Sequence, residues 1–217
     1  MCFSATASFV TAGITGGVGI VALKRASGPK EWPLAAVPVV FAIQQCVEGL
    51  LWLQLPVAPD AETATILTYL FLLFAEVWWP VYAPMAALLV EPSKSRRLVM
   101  TFCLVAGICV AAYFLWRIFG NYHAALIVDG HVVYVTEQKI YAPIGIAYLI
   151  ATGVPLVLSS HRAVVALGFI IMTGATVAYV LYWEAFVSVW CFFAAIASVA
   201  VLSHFEWAHR RRLHFVS

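Results

Sequence analysis

The chain is short of charge. Asp, Glu, Lys and Arg make up 10% of its 217 residues, where soluble domains carry roughly 25%. No loop holds a basic stripe with interleaved aromatics, so nucleic acid is not an expected partner. None of the five cysteines, Cys2, Cys46, Cys103, Cys109 and Cys191, forms a C-x-x-C pair, and neither a zinc ribbon nor a dithiol redox motif is signalled. No histidine lies deep in an apolar run, which argues against a bis-histidine haem b. The last apolar run has no lysine for a retinal Schiff base. G-x-S-x-G, H-E-x-x-H and phosphate-loop patterns are missing. The charged n-region of a signal peptide is also missing at the start. No internal repeat of fixed period is found.

What is abundant is apolar sequence. Sixty-four per cent of residues are hydrophobic and the mean hydropathy is +0.97. The expected fold is all-α: a bundle of seven transmembrane helices of about 20 residues each, forming a single domain over 1–217. The spans are expected near 10–22, 33–55, 63–90, 98–119, 140–158, 163–182 and 185–205, with a basic tail over about 207–217. Ser4, Thr6 and Ser8 are candidate N-caps for the first. Pro80 and Pro84 are expected to kink the third. Tyr113, Trp116 and Arg117 read as an interfacial anchor at the end of the fourth.

The longest link is different. Ala125-Leu126-Ile127-Val128, then Asp129-Gly130, then His131-Val132-Val133-Tyr134-Val135 predicts a β-hairpin over about 124–135 with a type I′ turn. Lys24, Arg25, Lys30, Lys94, Arg96, Arg97, Arg162, Arg210, Arg211 and Arg212 are ten of the twelve Lys and Arg residues, and all fall on one side of the seven-span layout. The positive-inside rule then puts the N-terminus and hairpin outside and the C-terminus in the cytoplasm. The expected location is a bacterial cytoplasmic membrane, with the lipid bilayer as a partner.

Polar residues at membrane depth mark the candidate site, because they are costly there. Gln44, Glu48 and Trp52 recur at i, i+4 and i+8 in the second span, on one stripe, with Gln45 beside them. Glu76 lies near the middle of the third span, with Tyr69 and Trp79 on its side. Gln44, Gln45, Glu48, Trp52 and Glu76 are the candidate ligand-binding residues. Two carboxylates could share a proton or act as acid and base.

Cys2 is the second candidate. Removal of Met1 would leave an amine and a thiolate on one residue, able to ligate a transition metal or act as a nucleophile. Cys2, Glu48 and His131 form the candidate metal set; Cys2, Glu48 and Glu76 are the candidate catalytic groups. His123 flanks the hairpin, and His204 and His209 lie near the tail.

Two pieces carry a resemblance: the opening Met1-Cys2-Phe3-Ser4-Ala5 with Ser8-Phe9, and Gln45-x-x-Glu48-Gly49-x-x-Trp52. Together they resemble an uncharacterised family of bacterial seven-span membrane proteins with the same start. The resemblance implies that Cys2 and Glu48 belong to one design; it implies no substrate or cofactor. The seven-span ceramidase-type lipid hydrolases offer a mechanistic comparison, but the zinc-binding histidines of that type are missing here. The leading expectation is an outer-facing polar cavity that binds a metal ion or small ligand under the hairpin. The alternatives are a hydrolase-like membrane enzyme using Cys2 and Glu48, and a small-solute or proton-coupled transporter relaying through Glu48 and Glu76.

Overall fold

The computed structural model describes residues 4–136 and 141–214. Helix α1 (Ala5–Arg25) starts where Ser4 accepts a hydrogen bond from the Ala7 N–H at 3.2 Å, as an N-cap should. It turns its small residues, Ser8, Thr11, Ala12, Thr15, Gly19 and Ala22, inward and packs them against α2 (Trp32–Gln54). Val10, Ile14 and Ile20 face outward. Small residues on the packed face and large apolar ones on the other suit a helix that meets lipid on one side.

The third span is three pieces: α3 (Glu62–Leu72), a π-helical turn (Leu73–Trp78) and α4 (Trp79–Val90). Pro80 lacks an N–H and its ring crowds the preceding turn, and the helix loosens there. The Trp79 N–H bonds back to the Phe74 carbonyl, which releases the Ala75 carbonyl. Tyr148 takes it up, donating from Oη at 2.5 Å. Pro84 similarly leaves the Pro80 carbonyl without its helical donor. That carbonyl points at α5 (Lys94–Gly120), where Gly107 admits it: a Cβ at 107 would lie 1.8 Å from the Pro80 oxygen.

After α5 comes the expected hairpin, β1 (His123–Val128) and β2 (His131–Thr136), antiparallel with Val128 opposite His131. Asp129 and Gly130 both have positive φ, 47° and 73°, as a type I′ turn requires. Ala125 and Val132 are buried against Leu51, Leu55, Leu67 and Phe71. Tyr134 stacks on Phe71 with ring centroids 4.7 Å apart.

The remaining helices are α6 (Ala142–Val157), α7 (Arg162–Leu181), α8 (Phe186–Ala197) and α9 (Ala200–His214), with a 3-10 turn at Trp183–Ala185 before α8. Among the described residues, six helical stretches are long and apolar enough to cross a membrane. The expected fifth span falls short: α6 has 16 residues, about 24 Å at 1.5 Å per residue, against a hydrocarbon core of about 30 Å. The expected last span lies within the apolar stretch Trp183–Trp207, in which α8 passes to α9 through a short turn where the Ser198 hydroxyl donates to the Ala195 carbonyl at 2.6 Å. The basic end is tied across the bundle, with Arg25 Nε 2.9 Å from Glu206 Oε1.

Candidate functional site

Glu48 is fully buried between α2 and α8. The Ser188 hydroxyl donates to its Oε1, and Gln45 Nε2 donates to its Oε2 at 3.3 Å. Both partners follow from local structure. Gln45 is three residues earlier on the same helix, within side-chain reach, and Ser188 is the one hydroxyl between Ala185 and Ala197. Gln44, one turn below Glu48, accepts from Trp79 Nε1 at 2.7 Å. Phe41 stacks on the Trp79 ring at 3.9 Å, so the indole is clamped while it donates.

These bonds fix the amide orientations and leave a remainder. With Oε1 of Gln44 occupied, its Nε2 has no oxygen or nitrogen acceptor and faces only the Cys191 thiol, a weak acceptor. With Nε2 of Gln45 occupied, its Oε1 has no donor. Trp52 Nε1 and Ser8 Oγ are likewise buried without partners among the described residues. Phe9 packs directly over Gly49, which brings the Ser8 end of α1 against this part of α2. An unmet buried polar atom costs about 1–3 kcal/mol, and four of them at one end of one helix pair are unusual.

Glu76 belongs to a second centre. It sits on the π-helical turn, and Arg117 Nη1 lies 3.5 Å from its Oε2. Both side chains are almost fully buried. Arg117 is therefore not the interfacial anchor that its neighbours Tyr113 and Trp116 suggested. It continues the buried face of α5, Gly107, Val110, Phe114 and Arg117, while Trp116 is exposed. The Arg117 carbonyl accepts from Asn121 Nδ2 at 2.9 Å and lies 3.5 Å from His123 Nε2. Burial, with the Arg117 charge nearby, pushes the His123 imidazole below its ordinary value of 6.5, against that hydrogen bond.

The two centres are neighbours without a shared hydrogen bond. Cys191 lies within electrostatic reach of both Glu48 and Glu76, but among the described residues no bond joins the two carboxylates. Each has its own partner, which differs from the expected shared proton. A small apolar cavity of about 50 Å³, lined by Trp79, Tyr148, Thr152 and Cys191 among others, adjoins them.

The hairpin lies against this region as a roof: Tyr134 packs in the cluster that contains Trp52 and Val187, which flank the Glu48 centre. The His131 ring contacts Tyr182 at 5.3 Å, and its Nδ1 lies 2.8 Å from the Asp129 carbonyl. The expected metal set is not assembled among the described residues, where no group of three or more His, Cys, Asp and Glu is placed to hold a metal ion. Cys2 lies outside the described residues, as does Lys139.

Of the expected residues, Gln44, Gln45, Glu48 and Trp52 lie around the first polar centre and Glu76 in the second; Arg117, Ser188, Tyr148 and Ser8, which adjoin them, were not among the expected site residues. Arg117 could have been found by its spacing from Gly107, Val110 and Phe114. Nothing local marks Ser188 beyond its isolation in an apolar run.

A family model described as "Family of unknown function (DUF6629)" matches residues 1–216. No curated protein matches the chain, and no solved structure does.

Proposed function

The chain belongs to that family of unknown function, and from the buried polar remainder around Glu48 we propose that it is a polytopic membrane protein that binds a small, uncharged polar ligand under the hairpin. The proposed arrangement is seven spans in one domain, with the N-terminus and hairpin outside and the C-terminus inside. Charge asymmetry along the chain supports it.

One observation carries the binding reading. Gln44 Nε2 and Trp52 Nε1 are donors without an oxygen or nitrogen acceptor, and Gln45 Oε1 is an acceptor without a donor. All three lie on two turns of α2. A molecule with hydroxyl or amide groups satisfies both kinds at once. A net charge is not called for, because Glu48 already accepts from Ser188 and Gln45 and Glu76 is paired with Arg117. The same pairing removes the main support for a proton relay through both carboxylates. A metal ion would need ligands from outside the described residues, with Cys2 the candidate. Catalysis by Cys2 and Glu48 would need that thiol at the same place.

The test is extraction. Protein exchanged into zwitterionic nanodiscs is denatured, and the released small molecules are measured by mass spectrometry beside Gln45→Leu and Glu48→Gln. The expected result is a polar compound near one per chain in the native protein and its loss from Gln45→Leu. Equal recovery from native protein and both variants, or none from the native protein, overturns the reading. Metal content measured on the same samples, with and without Cys2→Ala, decides whether an ion belongs to the site.

A further inference from the structure

The opposite end of the bundle holds a recess that the Glu48 reading leaves unused. It has a volume of about 640 Å³ and lies between the α6–α7 turn and α9, lined chiefly by Ser160, His161, Arg162, Ser203, His204 and Trp207. That volume is within the range of small-ligand sites, about 300–1,000 Å³. We propose that this recess binds a phosphate group, carried either by an anionic lipid headgroup or by a free phosphate.

The lining chemistry is one-sided. It offers a guanidinium, two imidazoles and an indole, and no carboxylate; the Ser160 and Ser203 hydroxyls already donate to Glu91 and to the Ala200 carbonyl. The acidic groups nearby are already engaged: Glu31, within electrostatic reach of His204, accepts from the Ser27 N–H at 2.6 Å. Glu91 accepts from the Ser160 N–H at 2.8 Å, from the Ser160 hydroxyl at 2.5 Å and from the Ser93 N–H at 3.1 Å. Those three donors outweigh the cost of its burial and hold Glu91 below its ordinary value, so it stays an anion whose charge is spent on the turn itself. Arg96 reinforces the turn from α5, with Nη1 3.2 Å from Ser160 Oγ. Glu206, beside Trp207, is bound to Arg25.

What remains available is one guanidinium beside two imidazoles. Arg162 is exposed and makes no hydrogen bond or ion pair with any described residue. Its planar fork matches two oxygens of a phosphate. The His161 and His204 rings meet edge to face at 4.7 Å, and His161 Nε2 is 2.9 Å from the Val90 carbonyl, so the imidazole pair is positioned rather than loose. Trp207 is 56% exposed and ends the last apolar stretch. An indole at that point is characteristic of the headgroup layer. Arg210, Arg211 and Arg212 follow on the same helix. The recess lies at the ends of two apolar stretches, Arg162–Leu181 and Trp183–Trp207, the position that headgroup phosphates take beside a membrane span.

The full chain is placed in phosphatidylcholine nanodiscs, alone, with a tenth part phosphatidylglycerol, or with inorganic phosphate in the buffer. Bound lipid is counted by native mass spectrometry, and stability is read by thermal unfolding. The expected result is selective retention of phosphatidylglycerol, reduced about tenfold by Arg162→Gln, the loss expected for one charge-assisted contact. Lys94→Gln, an exposed cation at the same end, should leave retention unchanged. If inorganic phosphate instead raises the unfolding midpoint in pure phosphatidylcholine and Arg162→Gln abolishes the rise, the source is free phosphate. Should Arg162→Gln fail to fold, Ser203→Asp places a negative charge in the recess from α9 and should expel either ligand. Equal loss from Lys94→Gln and Arg162→Gln would mean diffuse attraction only. That result overturns the proposal, as does an absence of response to both ligands.

Discussion

Two buried carboxylates lie a short way apart in this bundle and are handled differently. Glu76 is met by a cation, Arg117, on a helix whose end is further tied by Asn121 and His123. Among the described residues, Glu48 is met by neutral donors, Ser188 and Gln45, and is surrounded by polar atoms with nothing to bond. The first centre is closed: its charges cancel. The second is open in the chemical sense, since each bond it makes leaves the other end of a bifunctional group unmatched. Burial alone therefore does not distinguish the two carboxylates; the polar atoms beside them do, and the proposed ligand site rests on that difference.

The contrast is most severely tested at Arg117. Arg117→Met should destabilise the protein by about 3–5 kcal/mol, because the carboxylate loses its counter-charge. The double variant with Glu76→Gln should recover most of that. Unfolding in mixed micelles measures both, and a single variant as stable as the native protein would remove the ion pair as a structural element. Gly107→Ala attacks the same centre through its backbone. With the Pro80 oxygen in the way, α4 and α5 must separate, at a cost of about 1–3 kcal/mol.

The Glu48 centre should give less. Ser188→Ala removes one donor to the carboxylate and should cost about 1–2 kcal/mol. If ligand retention falls with Ser188→Ala while Arg117→Met plus Glu76→Gln retains ligand, the division into an open and a closed centre is sharpened. If the two behave alike, it breaks.

The smallest effect is a pH dependence. Burial holds the His123 imidazole below its ordinary value of 6.5, so the unfolded chain takes up a proton there before the folded one. Stability from this residue is present above about pH 6.5 and is lost as pH falls toward the depressed folded value. His123→Gln should flatten that part of the stability curve, measured between pH 7 and 5.

The parts that could be read from sequence were local ones. The hairpin was legible because Asp129-Gly130 specifies its own turn. The stripe of Gln44, Glu48 and Trp52 was legible because helical spacing alone aligns it, and Ser4 because capping involves only the next turn. Arg117 was misread for the converse reason: its own neighbours, Tyr113 and Trp116, are interfacial, and only the arrival of Glu76 from another helix draws it inward. Ser188 is a single hydroxyl whose role depends on a residue 140 positions away. The fifth expected span was drawn from composition, which does not register the shortness of α6.

The π-helical turn sets the phase of the third span. An α-helix advances about 100° per residue, and a π turn amounts to one residue inserted into that count. Everything after Trp78 is thus swung by about 100° relative to everything before Leu73. Glu76 can then address α5 while Trp79, three positions on, addresses α2. Deleting one residue within 73–78 would leave a longer uninterrupted helix of unchanged hydrophobicity, yet it would rotate Trp79, Pro80 and Tyr82 away from Gln44, Gly107 and the Pro33 carbonyl together. In this span the number of residues matters as much as their kind.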